Sequence, residues 1–274
     1  MTHAGLARDG LHDHPCHRGG SRLPFRAGLE RVDGRYLVAV GGTETHGKFV
    51  ERPYPDLLGE RIGLPVANLG AVNAGIDVFA SDPAVLEICS RACAVVMQAM
   101  GAHNLRNRFY TVHPRRNDRF LRASAELRAL YPDIDFTEFA FTRHLIRSLV
   151  ETGPDRFAPV LADLRAAWTA RMTAFLDAVR APVVLLWMAE RLPEEPSALH
   201  CASDPLFVTS DMLEEIRSRL AGVVIATRRR TARRDGDSDG QGLYRASTPA
   251  EPAPEGCHHR ETAHVVAESV VALV

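Results

Sequence analysis

Hydrophobic positions along this chain follow two rhythms. Five short apolar runs, 36–40, 65–69, 94–100, 183–188 and 223–226, have strand length and β-branched content. A mainly apolar run is what a strand buried on both faces needs, and such strands belong to parallel sheets. Between the runs, apolar positions recur at helical spacing. One helix is predicted to begin near Pro55 and continue through 57–62, and another to cover 83–92, where Ser81 and Asp82 precede a proline at the first turn. A long helix is predicted over 156–179, with Leu161, Leu164, Trp168, Met172, Phe175 and Val179 on one stripe. Strand and helix alternate, so the expected fold is α/β in three layers, a parallel sheet covered by helices on both faces.

Two stretches break the rhythm. The segment 104–151 is polar, aromatic and rich in arginine, with Phe109-Tyr-Thr-Val-His-Pro-Arg-Arg-Asn-Asp-Arg-Phe120 inside it, and reads as an Arg-rich insertion after the third strand. An excursion of that length at a strand's carboxyl end serves as a lid or recognition element more often than as a bare connector. Past 227 the chain turns to a basic run, 228–234, then Asp235-Gly-Asp-Ser-Asp-Gly-Gln-Gly242, then prolines up to 256. That is flexible-linker chemistry. The closing stretch 264–274 is apolar at helical intervals and is expected to pack back as a last helix. The expected organisation is a disordered N-terminal tail over 1–20, an α/β domain over 21–227, a linker over 228–259, and a C-terminal helix over 260–274 packed on the domain.

Composition narrows the partners. A chain of 274 residues with 46% hydrophobic content can bury one substantial core. Its 33 basic and 34 acidic residues leave a formal charge of −1, with no global pull towards nucleic acid or an anionic membrane. The basic run 228–234 lacks the interleaved aromatics of single-strand binders, so no nucleic-acid partner is expected. No apolar run approaches the roughly 20 residues that span a bilayer. The first 20 residues lack the apolar stretch of a secretory signal, so the expected location is the cytoplasm, with no membrane partner. Five cysteines, Cys16, Cys89, Cys93, Cys201 and Cys257, are odd in number and scattered, which argues against a disulfide framework. Cys89 and Cys93 read as small buried hydrophobes. The clusters His12, His14, Cys16, His17 and Cys257, His258, His259 show no recognised ligand frame, so no metal and no cofactor is called for. Oligomeric state is left open.

The densest chemistry follows the first strand, in Tyr36-Leu-Val-Ala-Val-Gly-Gly-Thr-Glu-Thr-His-Gly-Lys-Phe49. In open parallel sheets ligands sit beyond the carboxyl ends of the strands, and glycines there let backbone approach a substrate. The spacing from Gly42 to Lys48 suits a phosphate-cradling loop, but Phe49 stands where such a loop needs a hydroxyl for magnesium, and Pro53 and Pro55 crowd the helix it would open. Thr43 can cap the turn or contact a ligand. Glu44 and His46 can line the same cleft or belong to a solvated turn. Asn104, after Gly101, can donate to an oxyanion or tie its loop, while His103 and Asp77 read as loop-fastening residues. His113, Arg115 and Arg116 around Pro114 suit a carboxylate, sulfate or phosphate, and ion pairs to Asp118, Asp133 or Asp135 would give the same pattern.

Three blocks, Gly41-Gly42-Thr43, Asn68-Leu-Gly70 followed by Asn73-Ala-Gly75, and Gly101-Ala-His-Asn104, resemble in order and spacing the SGNH-type hydrolase superfamily. The resemblance implies a flavodoxin-like, SGNH-hydrolase-like architecture and acyl-transfer chemistry, in which a hydroxyl attacks a carbonyl and fixed donors stabilise the oxyanion. It places Thr43 at the nucleophile, Gly70 at the amide donor and Asn104 at the side-chain donor. Glu44, His46, Asn73, His113, Arg115 and Arg116 are, from the reading of the residues themselves, the expected substrate-binding residues. The family's Asp-x-x-His has two partial counterparts, Asp204-Pro-Leu-Phe207, which lacks the histidine, and Glu255-Gly-Cys-His258. At finer grain, Gly41 to Phe49, Asn68 to Phe79, Phe109 to Leu121 and Asp204-Pro-Leu-Phe-Val-Thr209 identify the chain as a member of an uncharacterised proteobacterial family, domain-of-unknown-function family 6473. The implied activity is that of an esterase or acyltransferase on a small or carbohydrate-linked substrate. The alternative is a noncatalytic binding protein for an anionic small molecule or glycan.

Overall fold

The structure, a computed structural model, describes residues 20–26, 34–195, 204–227 and 255–274. Strand β1 (Leu37–Gly41) runs into a one-turn helix α1 (Thr43–His46), and α2 (Tyr54–Ile62) leads to β2 (Val66–Gly70). Helices α3 (Ile76–Ala80) and α4 (Pro83–Arg91) lead to β3 (Ala94–Gln98). Strands β4 (Tyr110–His113) and β5 (Arg116–Ala123) form a hairpin, followed by α5 (Ala125–Leu130), α6 (Thr142–Thr152) and α7 (Pro154–Ala178). The chain then passes through β6 (Val183–Ala189), α8 (Ser210–Glu215), β7 (Gly222–Thr227) and α9 (Glu255–Val270).

Five strands form one parallel sheet in the order β2-β1-β3-β6-β7, with Val40 level with Leu69 on one side and Met97 on the other. This is the flavodoxin-like order. The winding reverses between β1 and β3, which opens a crevice at their carboxyl ends.

Side chains alternate across the sheet, and both faces are apolar. Val38, Val40, Val95, Met97, Leu185 and Trp187 enter the larger core under α7, whose Leu164, Trp168, Met172 and Phe175 are fully buried. Leu37, Ala39, Ala94, Val96, Val184 and Leu186 enter the smaller one, closed by Tyr54 and Leu58 of α2 and by Ala263, Val266, Ala267 and Val270 of α9. Asp82 caps α4, accepting from the amides of Ala84 and Val85 at 3.0 and 3.4 Å, with Pro83 at its first turn. Strand β3 ends at Gln98, and the rest of the third apolar run stays buried against α7, where Trp168 Nε1 donates to the Met100 carbonyl at 2.8 Å.

The segment 104–151 folds as the β4–β5 hairpin, α5 and α6, and an isolated bridge between Arg119 and Phe141 lays the start of α6 beside β5. Helix α9 begins at Glu255, so 255–259, expected in a linker, form its opening turns. His259 anchors them, its Nδ1 accepting from the Tyr54 amide at 3.0 Å. The expected N-terminal tail up to residue 19, the linker over 228–254, Cys16 and Cys201 lie outside the described residues. Cys89, Cys93 and Cys257 are free thiols, and burial pushes that of Cys89 up to about 12. Among the described residues no helix is long and apolar enough to cross a membrane.

Candidate functional site

Gln98 ends β3 beside the carboxyl end of β1, and its buried side chain fixes the turn above it. Its Oε1 accepts from Gly42 N, Thr45 N and Thr45 Oγ1 at 3.0, 3.3 and 2.6 Å, while Nε2 donates to Glu44 Oε2 at 2.8 Å. Held this way, α1 presents Thr43 and Glu44 to the crevice. From β2, Asn68 donates to the Thr45 carbonyl at 2.8 Å and accepts the Gly70 amide at 2.9 Å. Gly70 is thus a packing position. A Cβ there would lie 2.2 Å from His46 N, and the residue is not part of the cleft lining.

The amide that reaches the crevice belongs to Asn73. This residue takes φ 55°, a left-handed conformation that asparagine tolerates better than most residues. Its N–H donates to Thr43 Oγ1 at 3.0 Å, and its Oδ1 accepts from the Thr43 hydroxyl at 3.3 Å. Asn104 joins the same group, with Nδ2 donating to the Asn73 carbonyl at 3.2 Å and Oδ1 accepting from Thr142 Oγ1 at 2.5 Å. The two loops pass this closely because Gly75 has no side chain, a Cβ there falling 1.6 Å from the Asn104 carbonyl oxygen.

Around these residues lies a cleft of about 230 Å³, completed by Asp118 of β5, Phe141, Thr142 and Arg143 at the start of α6, and Asp204. Arg143 donates to Asp204 Oδ2. Burial lifts the Glu44 carboxyl above its ordinary value, the Gln98 bond opposes that, and the Asp204 charge adds to it. Behind the wall His103 is buried, and among the described residues neither ring nitrogen has a hydrogen-bond partner. Burial holds it down to about 4, against the pull of Asp204. On the other side of Thr43 and Glu44 is a second depression of about 250 Å³, bordered also by Lys48, Phe49, Met188 and His258. His258 Nε2 lies 3.3 Å from the Ala226 carbonyl oxygen.

The structure therefore gathers Thr43, Glu44, Asn73 and Asn104, and sets Gly70 and the buried His46 outside the cleft lining. His113 and Arg115 sit at the hairpin tip, where His113 Nδ1 accepts from Arg115 N at 3.2 Å. Arg116 touches the cleft only from outside, 3.6 Å from Asp118 Oδ2. Asp77 fastens loops, accepting from Arg106 N and Arg171 Nε, both at 2.7 Å. Gln98, Phe141, Thr142 and Arg143 carried no motif in the sequence. Both hydrogen bonds of Thr43 Oγ1 end on Asn73, so among the described residues no histidine is bonded to it. No group of three or more His, Cys, Asp or Glu among the described residues is placed to hold a metal.

The strand order and the hydroxyl-bearing turn at its switch point define an α/β protein of flavodoxin-like topology. The chain belongs to the family described as Domain of unknown function (DUF6473), which matches residues 1–274. No curated protein matches it. Among solved structures, it is similar to a carbohydrate esterase family 2 enzyme from Corynascus thermopiles (Myceliophthora fergusii), at 12% identity and TM-score 0.42 over 91% of this chain and 69% of that one. It is similar to an acetyl xylan esterase from Butyrivibrio proteoclasticus, at 8% identity and TM-score 0.42 over 88% and 64% of the two chains. A protein of the G-D-S-L family from Desulfitobacterium hafniense DCB-2 aligns at 12% identity and TM-score 0.35 over 86% and 99%. At these identities and scores the likeness carries nothing about activity.

Proposed function

We propose that the cleft performs acyl transfer or ester hydrolysis on a small or carbohydrate-linked substrate, with Thr43 as nucleophile. The observation that carries this reading is the 3.0 Å hydrogen bond from the Asn73 amide to Thr43 Oγ1, with the Asn104 amide tied to the same residue. An amide and a side-chain donor fixed beside a hydroxyl suit the stabilisation of a tetrahedral oxyanion. The amide donor in this reading is that of Asn73, in place of Gly70. The Thr43 proton needs an acceptor, and two candidates border Thr43: the Glu44 carboxyl and His258 across the second depression. Substrate-binding roles fall to Asp118, Thr142 and Arg143, which line the cleft, ahead of His46, His113 and Arg115, which do not.

Hydrolysis of short-chain nitrophenyl esters tests the reading. Thr43→Ala abolishes turnover, Thr43→Ser retains it through a less hindered hydroxyl, and Asn104→Ala lowers it by about a hundredfold. Whichever of Glu44→Gln and His258→Gln removes the limb of the pH–rate profile names the base. Turnover indifferent to Thr43→Ala sinks the assignment. An inactive protein supports the second reading, a cleft that binds a glycan without turnover, which the Asn73-only bonding of Thr43 favours.

A further inference from the structure

Glu44 keeps part of its surface and borders Thr43 in both cavities, and beneath it runs a chain of buried polar groups. Gln98, Thr45 and Tyr54 are 2%, 0% and 0% exposed, so solvent cannot stand in for the bonds among them. The direction of each bond follows from what each atom can give. The amides of Gly42 and Thr45 can only donate, so the Gln98 atom they meet at 3.0 and 3.3 Å is the oxygen. The Gln98 nitrogen is therefore the atom 2.8 Å from Glu44 Oε2. Thr45 Oγ1 gives its one proton to Gln98 Oε1 at 2.6 Å. In the 3.2 Å bond between Thr45 Oγ1 and the Tyr54 hydroxyl, the donor is then tyrosine. Donation runs one way, from Tyr54 through Thr45 and Gln98 to the Glu44 carboxyl, and aligned bonds polarise one another. A carboxylate met by a fixed donor is favoured in its accepting form.

The charges around Glu44 leave this role to the relay. On the cleft side Asp204 opposes its ionisation and Arg143 favours it, and those two are paired with each other. Asp118 lines the same cleft, while Lys48, His258 and His259 border Glu44 across the second depression. His258, the other candidate acceptor, has Nε2 3.3 Å from the Ala226 carbonyl oxygen. A carbonyl only accepts, so in that bond Nε2 carries the proton.

Resting on the acyl-transfer reading above, we propose that Tyr54, Thr45 and Gln98 are positioning residues, a one-way hydrogen-bond relay that reserves Glu44 as the proton acceptor of the site. As Thr43 Oγ1 bonds the carbonyl carbon, its proton passes to Glu44, directly or through one water, and goes on to the leaving oxygen when the ester C–O bond breaks.

Carboxyl-carbon NMR of protein labelled at its glutamate side chains, with the Glu44 signal assigned by Glu44→Gln, reads the relay without any turnover. The Thr45 hydroxyl bonds Gln98 and Tyr54, so its effect on the Glu44 carboxyl travels through Gln98. Thr45→Val raises the Glu44 titration midpoint by about 0.3 pH units, and Thr45→Ser, which keeps the hydroxyl, holds the wild-type value. Gln98→Met, which removes the donor itself, raises the midpoint by about one unit. Circular dichroism checks that each variant is folded, and the Thr45 pair carries the test if Gln98→Met is not. An unmoved midpoint in Thr45→Val, or an equal shift in Thr45→Ser, overturns the relay. In the ester assay, a pH–rate limb that Glu44→Gln keeps and His258→Gln removes overturns Glu44 as the acceptor. An inactive protein whose midpoint shifts as stated loses the acyl-transfer reading and keeps the relay, so the two failures are separately visible.

Discussion

Glu44 and His103 both feel the Asp204–Arg143 pair, and burial moves them in opposite directions. For Glu44 the folded value lies above 4.5, so the stability it contributes is present below that pH and is lost as pH rises through the raised value. For His103 the folded value falls from 6.5 to about 4, so its contribution is present above 6.5 and is lost as pH falls towards 4. From pH 4.5 upward the two contributions therefore change in opposite directions and offset each other in urea unfolding of the wild type. Glu44→Gln should leave the His103 loss uncovered, so that stability falls as pH drops from 6.5 towards 4, and His103→Gln should leave the Glu44 loss uncovered, so that stability falls as pH rises above 4.5. Variant profiles that run parallel to the wild type throughout would refute the assignment. At this scale the sequence was only partly legible. The choice between Gly70 and Asn73 as the amide facing Thr43 is settled by the loop that carries Asn73 back over α1, where its N–H meets Thr43 Oγ1 at 3.0 Å. Two asparagines and two glycines in one short stretch do not reveal which amide turns inward.

The strands were the most legible elements. Each apolar run lies within two residues of β1, β2, β3, β6 or β7, because burial on both faces demands continuous hydrophobicity. Thr142 and Arg143 were illegible for the opposite reason. They reach the cleft only because α6 is laid against β5 through the Arg119–Phe141 bridge, a tertiary placement with no local signature. Helix α9 falls between these cases, its apolar spacing visible in 264–274 while its opening turns, among residues of linker-like composition, were not. Its role can be tested at two neighbouring valines. Val266 is fully buried against α2 and the sheet, and Val266→Ala should cost about 2 kcal/mol from lost burial and the cavity left behind. Val271, 60% exposed just beyond the helix, should cost almost nothing when made alanine. Equal shifts in the denaturation midpoint would mean that α9 is not docked as described.

The molecule as a whole is tied together by strands that serve two cores at once. Along β1, Val38 and Val40 pack on one face while Leu37 and Ala39 pack on the other, and β3 and β6 repeat the pattern. Neither helical layer can leave without exposing the same strands to water, so the two faces should unfold together although the chain exceeds the usual size for two-state behaviour. The tryptophans supply a face-specific probe, since Trp168 and Trp187, the only two in the chain, both lie in the larger core. Far-UV ellipticity also senses α2 and α9 of the smaller one. Urea transitions followed by tryptophan fluorescence and by ellipticity should therefore superimpose. An ellipticity loss that precedes the fluorescence change would show instead that the α2–α9 layer melts on its own, and would take the His258 side of Thr43 away before the Asn73–Asn104 side is disturbed.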